Sequence, residues 1–184
     1  NADSLKNVDA VFISHLHTDH FDEKLLKQLR DGTLFVFLKR NPNFLKKILL
    51  NMGFSNFLEI PDREICQFRD IEMMAFEPFA KHPFHESVVG NIIDSSLWLS
   101  DGVTSFLNFT DNTPTVSAAH EIKELFPQID IVSICFNSAA DYPACFDMLD
   151  HDEKLSEKER IWERNANNVV EIIELINPNV LLPM

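Results

Sequence analysis

An apolar run, Val8-Asp9-Ala10-Val11-Phe12-Ile13, leads straight into Ser14-His15-Leu16-His17-Thr18-Asp19-His20-Phe21-Asp22. The run reads as a buried strand. Its exit carries three imidazoles and two carboxylates in the pattern His-x-His-x-Asp-His. In an extended segment, residues two apart face the same way, so His15 and His17 can aim at one metal ion. Asp19 and His20 fall where the chain leaves the strand and turns, within reach of a second ion. Neutral imidazole and carboxylate suit zinc, iron and manganese. Two ions held roughly 3.5–4 Å apart can clamp a water and lower its pKa toward neutrality.

The rest of the composition fits a globular, cytoplasmic domain. A chain of 184 residues is long enough for one sizeable core, and residues 1–184 read as one domain. Its net charge of -13 removes any general attraction to a phosphate backbone, which argues against nucleic acid as a partner. A local basic pocket could still receive a small anionic substrate. Cys66, Cys135 and Cys145 are scattered, with no CxxC spacing, and suit a reducing compartment. No apolar run approaches the roughly 18 residues needed to span a membrane, and no signal-peptide pattern opens the chain. Asn1-Ala2 resembles the scar of a cleaved tag, and Leu181-Leu182-Pro183-Met184 directly follows what reads as a buried strand. The expectation is a fragment truncated at both ends.

Strands and helices alternate along the chain. Helices are expected at 22–30, 43–52, 117–126 and 155–176, the second ended by Gly53 and the last by Asn177-Pro178. Strands are expected at 33–38, 56–60, 71–79, 92–99, 103–109, 129–136 and 180–182, with a hairpin turn at Asp101-Gly102. Residues 147–159 are dense enough in charge to read as a mobile loop. This order implies an α/β sandwich rather than an all-β domain.

The His-x-His-x-Asp-His pattern resembles the signature of the metallo-β-lactamase-fold superfamily. That resemblance implies an αββα sandwich holding one or two divalent ions, with zinc favoured and iron or manganese as alternatives. It also implies a third His after a middle strand, a bridging Asp after another strand, and a last His near the end. Asp111, at the end of the apolar stretch Leu107-Asn108-Phe109-Thr110-Asp111, stands where the bridging Asp belongs. The superfamily usually has a small residue just before it; here that residue is Thr110. His82 and His85 both qualify as the third His. His82 follows its strand more closely, and the stretch from Pro78 to His82 resembles the phospholipase D-like members. The last His would fall beyond residue 184. His120 reads as a surface residue of a helix, and His151 as part of the charged loop.

Several segments are similar to the metallo-β-lactamase-like domain of CMP-N-acetylneuraminate hydroxylases and their bacterial relatives. They are 8–20, Asp94-Ser95-Ser96-Leu97, 107–111, 136–143 and the stretch from Ile176-Asn177-Pro178 to Leu182-Pro183. In that branch a Rieske iron–sulfur domain accompanies the fold. A Rieske centre needs paired Cys and His ligands, and no Cys-x-His pair occurs here. A Rieske-type domain or protein would therefore lie outside this chain. Two functions follow from the resemblance. The first is a metal-dependent hydrolase. In it His15, His17, Asp19, His20, His82 or His85, and Asp111 hold the metal, a bound hydroxide attacks a phosphoester, lactone or amide, and Asp19 is the catalytic proton acceptor. The second is a sugar-nucleotide-binding module of an oxygenase.

Overall fold

The computed structural model of the chain describes residues 7–79, 94–136 and 142–184. Two sheets lie face to face between two layers of helices. The first sheet is parallel, with strand order β1 (Ala10–Phe12), β2 (Leu34–Leu38), β3 (Phe57–Ile60). The second runs β4 (Ile65–Phe68), β5 (Ile71–Phe76), β6 (Ser96–Ser100), β7 (Ser105–Asn108), β8 (Ile131–Ile134), β9 (Val180–Pro183). It is antiparallel from β4 to β7 and parallel from β7 to β9. Each parallel step is made through a helix: α1 (Glu23–Leu26), α2 (Phe44–Asn51), α3 (Val116–Leu125) and α4 (His151–Ile176).

Side-chain alternation along the strands builds the layers. Every residue of β2 is buried. Leu34, Val36 and Leu38 face the second sheet, where they meet Met73, Ala75 and Leu97. Phe35 and Phe37 face the other way, onto Leu26 of α1 and Leu45 and Leu49 of α2. In β5 the same alternation sends Met74 and Phe76 outward, toward Ile122 of α3 and Val169, Ile172 and Ile176 of α4. Both faces of each sheet are therefore dry at the centre, which is why these strands read as apolar runs rather than as alternating ones.

Most expected elements are present; the strand expected at 92–99 holds over Ser96–Ser100, with 92–93 outside the described residues, that at 129–136 holds over Ile131–Ile134, and four further differences stand out. The helix expected at 22–30 holds only over Glu23–Leu26, because the bonds from Gln28 N to Leu25 O and Leu29 N to Leu26 O tighten the next turn. Strand β4 went unread. It is half exposed, and its turn to β5 uses Arg69 at positive φ where a turn glycine would have signalled it. The strand expected at 71–79, β5, ends at Phe76. The charged stretch 147–159 is not a loop over its second half. The Asp150 carboxylate accepts from Glu153 N at 2.9 Å while the Glu153 carboxylate accepts from Asp150 N at 2.9 Å, and this reciprocal cap starts α4 at His151. The charges are the wet face of a helix.

Asp130, just before β8, ties three strands at their start. Its carboxylate accepts from Ser105 N (2.8 Å), Ser105 Oγ (3.0 Å) and Asn179 Nδ2 (2.9 Å). The Ser105 amide and hydroxyl bonds hold its carboxyl below the usual carboxylate range. A depressed native pKa contributes stability above the unfolded value and loses it as pH falls through the native one. Asp130→Ala should therefore be less stable than wild type at pH 7. The gap, full above about pH 4, should narrow at lower pH when both are unfolded in urea. Leu107→Ala, at a fully buried position, should cost about 2–5 kcal/mol in the same assay at any pH.

Candidate metal centre

The first sheet delivers the histidines. The bond from Ile13 N to Val36 O (2.9 Å) prolongs the β1–β2 pairing, and the chain then leaves the sheet at Ser14. His15 is 1% exposed. The His17 carbonyl accepts from His20 N (3.0 Å) and Phe21 N (2.8 Å), which folds Asp19 and His20 back over the strand end. Asp22 is occupied elsewhere, capping α1 through bonds from Lys24 N (2.8 Å) and Leu25 N (3.2 Å).

The second sheet delivers the carboxylates. Asp111 follows β7, and Asp94 precedes β6. Leu97 pairs with Asn108. Each step back along β6 meets one step forward along β7, so extending the register three positions sets Asp94 opposite Asp111. Buried hydroxyls fasten this edge to the histidine strand. Ser95 Oγ donates to Ser14 O (2.8 Å), Thr110 Oγ1 to Ser95 O (2.9 Å), and Ser96 Oγ to Phe109 O (3.2 Å). Thr110 has φ of 52°, an unfavourable region for a β-branched residue. Its side-chain bond and the bond from its N–H to Asn108 Oδ1 (2.9 Å) hold it there. The turn it makes is what presents Asp111.

The donor atoms converge in two groups sharing one carboxylate: His15, His17, Asp94 and Asp111, and then Asp19, His20 and Asp111. His15 Nε2 lies 2.8 Å from His17 Nδ1 and 3.8 Å from Asp111 Oδ2. His20 Nε2 lies 3.3 Å from the same Asp111 oxygen and 3.7 Å from Asp19 Oδ2. Bonds of 2.0–2.1 Å to a tetrahedral ion give a ligand–ligand edge of about 3.3 Å, which these distances bracket. The residues present thus fit a divalent ion. His82 and His85 lie outside the described residues. His120 is exposed on α3, and His151 opens α4.

Asp94 is a site residue that the motif does not reveal. Its Oδ1 sits 3.0 Å from His15 Nδ1, the nitrogen turned away from His17 and Asp111. One imidazole cannot turn both nitrogens to one ion, so with Nε2 facing the centre Asp94 stands behind His15, its Oδ1 close to Nδ1 but buried without a hydrogen bond among the described residues. Ser14 Oγ shares that role, at 2.9 Å from His15 Nδ1 and 3.4 Å from His20 Nδ1. Behind them Arg40 donates to Asp94 O (3.3 Å). Burial holds its guanidinium below its usual range, countered by Glu77, Asp94 and Asp62. The readable signal for Asp94 was the Asp101-Gly102 hairpin, which fixes the β6–β7 register.

No protein-family model matches the chain. A Mycolicibacterium smegmatis protein described as a Rieske 2Fe-2S iron–sulfur protein is 32% identical over 152 residues, 79% of this chain. The chain spans only 28% of that relative's length. Among solved structures, CmlA, a diiron β-hydroxylase from Streptomyces venezuelae, superposes with a TM-score of 0.65 at 18% identity, over 97% of this chain and 35% of its own. An isothiocyanate hydrolase from Delia radicum gut bacteria gives 0.64 at 12% identity, over 100% and 64%. YhfI from Bacillus subtilis, a metallo-β-lactamase fold protein, gives 0.54 at 12% identity, over 98% and 76%.

The double substitution His15→Ala and His17→Ala should abolish tight binding of zinc or iron in competition with a chromogenic chelator. Asp94→Ala should weaken it roughly 10–100-fold without abolishing it, the usual cost of losing a carboxylate behind a ligating His.

Proposed function

On the premise that this chain has the metallo-β-lactamase fold, we propose that it is the metal-binding part of a Rieske-linked oxygenase with a two-ion centre. The observation that carries this is a single carboxylate, Asp111, within reach of two separate groups of donors. His15, His17 and Asp111, with His82 or His85, would hold one ion; Asp19, His20 and Asp111 would hold the other. Asp94 and Ser14 orient the rings. The hydroxylase side is supported by two independent likenesses, one to a protein described as a Rieske iron–sulfur protein and one to a diiron β-hydroxylase. When bound, an iron pair would supply oxygen activation at this edge. A cluster to deliver electrons would sit on another domain or protein, since no Cys-x-His pair occurs in these residues. The substrate would be a small, anionic molecule.

A second reading, a metal-dependent hydrolase, is favoured by Asp19. Its side chain is 75% exposed and 3.7 Å from His20 Nε2, placed to take a proton from an incoming water. Fold neighbours include an isothiocyanate hydrolase, and metal-dependent enzymes are common to both readings.

The two separate in one experiment. Metal-free protein is loaded with iron, zinc or manganese, and metal content, reductant-dependent dioxygen uptake with a reduced Rieske protein, and hydrolysis of phosphodiesters and lactones are measured. Iron loading of about two ions per chain, lost in Asp111→Ala, with dioxygen uptake only in the iron form, is the expected result. Hydrolysis without reductant by the zinc form, falling roughly 10²–10⁴-fold in Asp19→Ala, would replace the oxygenase reading with the hydrolase one.

A further inference from the structure

The first half of α4 borders an open trough that the donor cluster does not use. Its wider part, about 450 Å³, is lined by Phe136, Tyr142, Leu155 and Trp162 together with Lys154 and Lys158. A second part, about 410 Å³, runs from Thr113 along Cys135 to Asn168. Phe136 and Asn165 line both, so the two adjoin. The near end starts at Thr113, two residues past Asp111, and β7 and β8 run parallel, so the loops after both strands open at one sheet edge.

The chemistry of the trough is set by two facts. Lys154, Leu155, Lys158 and Trp162 lie at helical spacings of three and four, which puts them on one face. Trp162 is 55% exposed, with its indole available to a ring. The chain carries 29 acidic residues, yet among the described residues no carboxylate lines either part of the trough. On the flank, Glu157 is committed elsewhere. It accepts from Arg160 Nη2 (2.6 Å) and Tyr142 Oη (2.9 Å), and the Arg160 bonds, then that of Tyr142, lower its carboxyl to about 2. Neither lysine ion-pairs with a carboxylate among the described residues.

We propose that this trough seats the body of the substrate, a molecule with a flat apolar ring and an anionic group. The ring lies against Trp162 and the anion meets Lys154 and Lys158, with the reacting end directed past Thr113 toward Asp111. The volume suits a ligand of drug-like size, and rings stack on aromatic faces while charge is attracted by the unpaired ammonium groups. The assignment of a reacting end rests on the metal-centre reading above; binding in the trough does not.

The test uses metal-free protein and 2-naphthyl phosphate as probe. The chain has two Trp residues, hence two indole N–H signals in a ¹H–¹⁵N correlation spectrum. Trp98, buried and stacked on Phe126, serves as the internal control. The expected result is a saturable shift of the Trp162 signal with Trp98 unmoved. Affinity should fall about tenfold or more, at least 1.4 kcal/mol, in the double variant Lys154→Glu and Lys158→Glu, and likewise for uncharged 2-naphthol. Equal binding of the two probes, or no effect of charge reversal, would reduce the trough to an apolar patch and overturn the proposal. So would a concentration-dependent dimer in light scattering that Trp162→Glu abolishes, since the occupant would then be a second copy. The probe should still shift Trp162 in the His15→Ala and His17→Ala variant. Loss of the shift there would place the probe at the donor cluster and overturn the trough alone, whereas failure of metal binding with the shift intact would overturn the metal reading alone.

Discussion

The contact between the two sheets carries everything else. Leu34, Val36 and Leu38 on one side and Met73, Ala75 and Leu97 on the other close a dry seam that sets how far apart the sheets lie and at what angle. Among the described residues, the clustered donor atoms come from both sheets. The histidines leave the end of β1, while Asp94 and Asp111 flank β6 and β7 across the seam. A shift of an ångström between sheets would separate His20 from Asp111. Close packing makes such a shift costly, and the Ser95-to-Ser14 bond pins the edge where the ligands meet.

Much of this was legible before any coordinates. The His-x-His-x-Asp-His run after an apolar strand pointed to side chains that the fold gathers into one cluster, and the alternation of apolar strands with capped helices announced the layers. What the sequence could not convey came from tertiary context. Asp94 gains its place beside His15 from the β6–β7 register; the sequence marked Asp94-Ser95-Ser96-Leu97 as part of a family resemblance but assigned the Asp no role. Strand β4 was hidden because Ile65 and Gln67 face water and its turn at Arg69 lacks a glycine. The start of α4 was hidden because Asp150 and Glu153, read as part of a charge-rich loop, cap each other's backbone. Thr110 looked like a departure from the expected small residue. The structure shows how the position tolerates it, through a hydroxyl that bonds Ser95 O and offsets an awkward backbone angle.

The electrostatic layout separates roles within a strongly acidic chain. Three carboxylates, Asp19, Asp94 and Asp111, stand at the donor cluster, where they suit cations. The trough along α4 is cleared of them and edged by ammonium groups. A net charge of -13 gives the surface as a whole no attraction for a phosphate backbone, while the lysines at the trough are a local exception.

The split origin of the ligands has a further consequence for how the chain behaves when metal is scarce. An ion coordinated from both sheets acts as a cross-brace between two halves that are otherwise joined mainly by apolar contact. Binding that favours only the assembled state adds about 2.7 kcal/mol at a hundredfold excess over the dissociation constant. A domain of ordinary stability, about 5–15 kcal/mol, would then owe a sizeable share of its resistance to unfolding and proteolysis to its cargo. Cellular metal supply would thus govern the abundance of the protein as well as its activity, with the empty form cleared first.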